Sequence, residues 1–185
     1  LRMGTRGLTA QTHGTGNRTQ ALHVLYRSLI VAWGVALLLI AAQRPIFDAA
    51  FNFVTATHEV EQLTATYYRI LIWGAPAVLG LYSFAGWFLG MQNAKAPMII
   101  AIGQNIINIV TSTVLVFGFA QGMAGVATGT LLAQYAGLFA AIIIWQKQYG
   151  KHQASAIKWR EVCNVAQFKR FFAINGDIFL RTFCL

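Results

Sequence analysis

Between Ala96 and Gln146 the chain has no Asp, Glu, Lys, Arg or His, and from Ile70 to Gln146 its one charged side chain is Lys95. Helices in a soluble core need a polar face toward water. Lipid removes that need. A span takes roughly 20 mostly apolar residues, and a charge near the bilayer centre is costly. The expected fold class is therefore all-α, a polytopic transmembrane helix bundle. The few polar groups inside its spans are the places to look for function.

Charge points the same way. The formal net charge is +9 over 185 residues, which in a soluble protein would suggest nucleic acid. Here most basic residues sit in short connections between apolar runs, as the positive-inside bias requires. The lipid bilayer, and no nucleic acid, is the expected partner. Cys163 and Cys184 lie in unrelated settings and suggest neither a disulfide framework nor a metal cluster. His58-Glu59 lacks the second His of a zinc-protease helix, and Gly14-Thr15-Gly16 lacks the third Gly of a dinucleotide loop. No enzyme, metal site or organic cofactor is expected. The chain opens on Leu1 and stops inside an apolar segment at Leu185, so it reads as an internal piece of a longer protein.

Helices are expected near 1–12, 22–42, 67–91, 98–119 and 125–146. Gly and Asn in 13–17 suit a helix C-terminus. Phe47, Ala50, Phe51 and Val54 recur at helical spacing, which predicts a short helix in the membrane interface. Thr57 is placed to cap the next helix, with Glu59 and Glu61 in its first turn. Pro76 removes a backbone donor and is expected to bend the helix it sits in. Residues 147–168 form a basic loop, and 169–185 begin another span. Arg18, Arg27, Lys95 and the bases of 147–170 fall on one side, with Arg44 and Arg69 on the other. The richer side is expected to be cytoplasmic, in a multi-pass protein of the cell's inner (plasma) membrane. His13, His23, His58 and His152 are all expected in loops or at span edges.

Small residues recur every four positions at Gly125, Gly129, Ala133 and Gly137, and again at Gly86 and Gly90. Such stripes let helix backbones approach closely. Against this apolar background the run Gln104-Asn105-Ile106-Ile107-Asn108-Ile109-Val110-Thr111-Ser112 stands out. Asn105, Asn108 and Ser112 are i, i+3 and i+7; Gln104, Asn108 and Thr111 are i, i+4 and i+7, so both sets share one face. Thr130 and Gln134 share a face of the next span. These groups either bond neighbouring helices, at on the order of 1 kcal/mol each, or line a wet pathway. Three carboxamides within five residues exceed what simple interhelical bonding needs. Asn175, Asp177 and Arg181 mark a further polar site at the start of the last span. There, pairing of Asp177 with Arg181 within one helix and a functional intramembrane acid both remain open.

Several runs carry a family resemblance. These are Gly74-Ala75-Pro76, the stretch from Gly86-Trp87-Phe88-Leu89-Gly90 to Lys95-Ala96-Pro97, Gln104-Asn105-Ile106-Ile107-Asn108-Ile109, and the stretch from Gly125 to Gln134-Tyr135. In order and spacing they resemble the multidrug and toxic compound extrusion (MATE) family, in its DinF-like branch. The opening Met3–Gln11 is similar to the end of that family's second helix, and Asn175–Thr182 to the start of its seventh. The resemblance implies two pseudo-symmetric six-helix lobes that rock about a central cavity. It implies export of organic, often cationic, compounds in exchange for H+ or Na+. Residues 1–146 would then belong to the N-terminal lobe, 147–168 to the cytoplasmic inter-lobe loop, and 169–185 to the first helix of the C-terminal lobe. Gln104, Asn105, Asn108, Ser112, Thr130 and Gln134 would line the cation and substrate pathway, with small organic molecules and a coupling cation as partners. One position departs from the pattern: Ser112 stands where the family often has Asp, and a hydroxyl cannot exchange a proton near neutral pH. Two other readings compete. A lipid-linked precursor flippase would need a cationic cavity, and a non-transporting scaffold subunit would need its carboxamides sealed between helices.

Overall fold

The computed structural model describes residues 1–53, 57–150, 162, 168, 169, 171–173, 175 and 176, with only the backbone of 50–53 and 58. Asp177 and Arg181 lie outside the described residues. All regular structure among the described residues is helical. Helix α1 is Arg2–Gly14, α2 Arg18–Ala41, α3 Gln43–Phe53, α4 His58–Leu71, α5 Ala75–Gly90, α6 Lys95–Thr113 and α7 Gly122–Tyr149. Four stretches are long and apolar enough to cross a membrane: Arg18–Ala41, Glu59–Gly90, Lys95–Gly118 and Gly122–Tyr149. The chain is a multi-pass membrane helix bundle.

Local chemistry explains the joints. Gly16 adopts φ +72°, a conformation that costs a glycine little. Asn17 then caps α2, its Oδ1 accepting from the Gln20 N–H at 3.1 Å. The 13–17 segment therefore starts one helix as well as ending another. Thr57 does stand at the N-cap of α4, but its side chain makes no capping bond. At the other end of the bundle, Asn93 closes the α5–α6 turn. Its Oδ1 accepts from the Ala96 N–H at 3.2 Å, and its Nδ2 donates to Gln148 Oε1 at 2.8 Å.

Between α4 and α5 the long span is not a regular helix. Ile72–Gly74 tightens into a 3-10 turn immediately before Pro76. Proline has no N–H for the carbonyl four residues earlier and its ring crowds it, so the break falls at Ile72–Gly74. Tyr135 Oη of α7 donates to the Trp73 carbonyl at 2.8 Å. The far end of α6 also departs from α-geometry, with a π-helical turn at Val114–Gly118.

The core lies where α2, α5, the start of α6 and the second half of α7 meet. It contains Leu22, Leu25, Phe84, Trp87, Phe88, Ile100 and Leu138. Trp87 Nε1 donates to the Ala21 carbonyl at 2.8 Å, and its ring meets Tyr149 edge-on at 4.9 Å. Gly86 and Gly90 of α5 press on α1, against the Arg2 and Arg6 carbonyls and the side chains of Thr5 and Thr9. The outer faces are apolar and bare, as at Leu37, Leu38, Ile99, Ile106, Phe117 and Phe139. That suits lipid, in which such a surface carries no penalty.

His23 and Arg27 stand near the start of α2, the span edge expected for His23, and both are buried, 3% and 8% exposed. Arg27 Nε donates to the Val162 carbonyl at 2.9 Å. The long guanidinium side chain reaches a backbone acceptor more than a hundred residues away in sequence, and local pattern carries no sign of that.

Candidate functional site: the polar seam of α6 and α7

Along the α6–α7 interface, the glycine stripe of one helix packs on the polar face of the other. Gly125 faces Leu115, Gly129 faces Ser112, and Gly137 faces Gln104. A β-carbon on residue 137 would lie 3.0 Å from Gln104 Oε1. Small residues let the backbones close in over Ser112 and beside Gln104.

Within this seam, Asn108 Nδ2 donates to Thr130 Oγ1 at 3.1 Å, and Thr130 Oγ1 donates to its own helix at the Val126 carbonyl, 2.9 Å away. Thr111 Oγ1 lies 2.6 Å from the Ile107 carbonyl and 3.3 Å from the Gly129 carbonyl. Ser112 Oγ is buried and has no hydrogen-bond partner among the described residues. A buried hydroxyl left unpaired is costly, so this oxygen is a standing acceptor in the seam.

The remaining residues predicted for the pathway sit elsewhere. Asn105 is exposed on the outer side of α6, level with exposed Ile102, Ile106 and Ile109. Gln134 is one turn from Thr130 but leans the other way, over Gly74 at the helix break. Its Oε1 is buried without a partner. With Leu39, Tyr68, Leu71, Ile72, Ala75 and Val78 it lines a cavity of about 280 Å³. The structure thus brings Gln104, Asn108, Ser112 and Thr130 into one seam, puts Gln134 in a second setting and Asn105 in a third. Asn175 packs instead on Gly4 of α1 and donates from Nδ2 to the Phe171 carbonyl at 2.8 Å. Sequence reasoning missed Tyr68, whose hydroxyl is buried and unpartnered beside Gln134. Its place about two helical turns before Pro76 was the available signal.

The described residues offer no group of three or more His, Cys, Asp or Glu able to hold a metal. What the seam can do is coordinate weakly through neutral oxygens. A broken span beside a seam of amides and hydroxyls, in a bundle of long apolar helices, is the construction used by membrane carriers built from helix repeats.

The MatE family pattern matches residues 1–114, and the chain belongs to that family. It is 34% identical over 189 residues to DNA damage-inducible protein F of Escherichia coli (strain K12). That alignment takes in 100% of this chain and 40% of the relative. Among solved structures, a multidrug resistance MATE family transporter of the MOP superfamily matches in its inward-facing conformation with a TM-score of 0.72. The identity is 21%, covering 92% of this chain and 38% of that one. An outward-facing MATE family structure matches with a TM-score of 0.71 at 23% identity, covering 92% and 37%. These likenesses show the fold. The chain spans about two fifths of the length of the relatives it matches.

Proposed function

We propose that the protein is a secondary active exporter of small organic, cationic or drug-like compounds, working in the inner membrane by alternating access and antiport with H+ or Na+. In this reading residues 1–146 are part of the N-terminal lobe, 147–168 link the lobes, and 169–185 open the C-terminal lobe. The observation that carries the reading is the seam itself: Asn108 bonded to Thr130, with the unpaired Ser112 oxygen beside it at the Gly129 contact. An unpaired hydroxyl beside two amides gives this seam spare oxygen ligands, and clustered intramembrane polar groups of that kind mark ion and substrate paths. The near-equal likeness to inward- and outward-facing relatives also supports a lobe that keeps its shape while the two lobes tilt.

Neutral oxygens set what the coupling ion requires. Ser112 and Asn108 cannot release a proton near neutral pH. A sodium ion takes hard oxygen ligands, and Ser112 Oγ, Gln104 Oε1 and the Asn108 amide oxygen supply that type. Proton coupling would need an acid that Gln104, Asn108, Ser112 and Thr130 do not supply. Asn105 and Gln134 belong to the substrate side of this proposal, and Pro76 to the bend that lets the span flex.

Replacing Asn108 with Leu tests the assignment. Export of a cationic dye from intact cells should fall while membrane abundance holds. Unchanged export would favour the scaffold reading, which the Asn108–Thr130 bond between helices also fits.

A further inference from the structure

A second cleft lies at the opposite end of the bundle from the Asn93 turn, where α3 meets α4. It encloses about 590 Å³ and is lined by Gln43, Arg44, Phe47, Asp48, Tyr68, Arg69 and Trp73. That volume falls in the range of small-ligand sites, roughly 300–1,000 Å³. The Phe47 and Tyr68 rings lie 5.6 Å apart, and the Tyr68 hydroxyl is buried without a hydrogen-bond partner.

The charge balance is unusual for its position. Arg44 and Arg69 stand on the side of the bundle where Lys and Arg are otherwise scarce, against the bias that concentrates bases on the other face. Neither is held in an ion pair among the described residues. Asp48 offsets one of the two guanidinium charges, which leaves the described lining of the cleft with one net positive charge. Guanidinium groups bind phosphate oxygens through parallel N–H donors, and Gln43 adds a neutral donor. Trp73 and Tyr68 are residue types that settle at the headgroup level of a bilayer, and Phe47 adds an apolar wall.

We infer that this cleft binds the singly charged phosphodiester of an anionic phospholipid, through Arg44 and Arg69, with Phe47 and Trp73 against the glycerol and upper acyl chain. One net positive charge matches a phosphodiester better than a doubly charged free phosphate. The site is separate from the α6–α7 seam and does not depend on what the protein transports.

The test is lipid retention by the purified full chain in nanodiscs of phosphatidylcholine containing a minor fraction of phosphatidylglycerol. Bound lipid is counted by native mass spectrometry after detergent exchange. The wild type should retain phosphatidylglycerol about tenfold over its share in the disc, as two basic groups near the surface allow. R44Q/R69Q should bring that enrichment close to one, whereas R44K/R69K should keep most of it. R18Q/K147Q, at the other end of the bundle, should leave it unchanged. Inorganic phosphate that displaces the lipid makes the free ion a ligand of the same site, and failure to displace it confines the site to lipid; phosphate recognition stands in both cases. Equal retention by wild type and R44Q/R69Q overturns the inference. Should the double variant fail to fold, the wild type alone decides: retention of phosphatidylglycerol no higher than its share in the disc also overturns it.

Discussion

Ser112 of α6 and Gly129 of α7 meet with no room for a β-carbon between them; one built on residue 129 falls 2.8 Å from both the Cα and the backbone nitrogen of Ser112. Backbone atoms cannot step aside as a side-chain tip can. Gly129→Ala should therefore push the helices apart and destabilise the protein by about 1–3 kcal/mol, the usual cost of overpacking. The check is the thermal unfolding midpoint in detergent. Gly103→Ala is the control, because a β-carbon there meets nothing within 4 Å. It should hold or raise the midpoint, since Ala gains about 1 kcal/mol over Gly in a helix.

The Asn108–Thr130 bond can be weighed by a double-mutant cycle. Asn108→Leu and Thr130→Val each remove one partner of the 3.1 Å contact. Their effects on the unfolding midpoint should be less than additive, with a coupling of about 1 kcal/mol. Strict additivity would mean that the two side chains do not interact in the folded protein.

Trp87 and Trp145 make a paired comparison. Trp87 Nε1 donates to the Ala21 carbonyl, whereas Trp145 Nε1 is buried without a partner among the described residues. Trp87→Phe loses a bond and some core packing, and should lower stability by about 1–3 kcal/mol. Trp145→Phe removes a donor that was unsatisfied, so its effect should be smaller. A larger loss for Trp145→Phe would contradict this account of the core.

Pro76 separates shape from stability. Pro76→Ala restores an N–H that can reach the Ile72 carbonyl and lets Ile72–Gly74 relax toward α-helix. The midpoint should hold or rise, because Pro is roughly 3 kcal/mol poorer than Ala inside a helix. Straightening would move Trp73, which accepts from Tyr135, and Gly74, which sits under Gln134. Dye export should therefore fall even as stability improves. The readouts are the midpoint and the export rate of the same variant.

Much of this fold was legible in the amino-acid order. The charge-free run from Ala96 to Gln146 required lipid, Pro76 marked a break, and the four-residue spacing of Gly125, Gly129, Ala133 and Gly137 announced a tight helix contact. The polar face of the Gln104–Ser112 run was legible too, since helical periodicity alone puts Gln104, Asn108 and Ser112 on one side. Periodicity could not say which neighbour that face would meet. It also grouped Asn105 with the seam, although the rotation of α6 turns that side chain outward.

Sequence by itself determined the solvent, the number of long apolar helices among the described residues, and the positions able to pack closely, because these depend on residue type and spacing along one chain. The tertiary structure decided the partners. It set the glycine stripe of α7 on the polar face of α6, turned Gln134 toward Gly74, buried Arg27 against Val162, and gathered Arg44 and Arg69 around one cleft. Each of those depends on how one helix is rotated and placed against another. That is settled by the packing of the whole bundle, and no single helix encodes it.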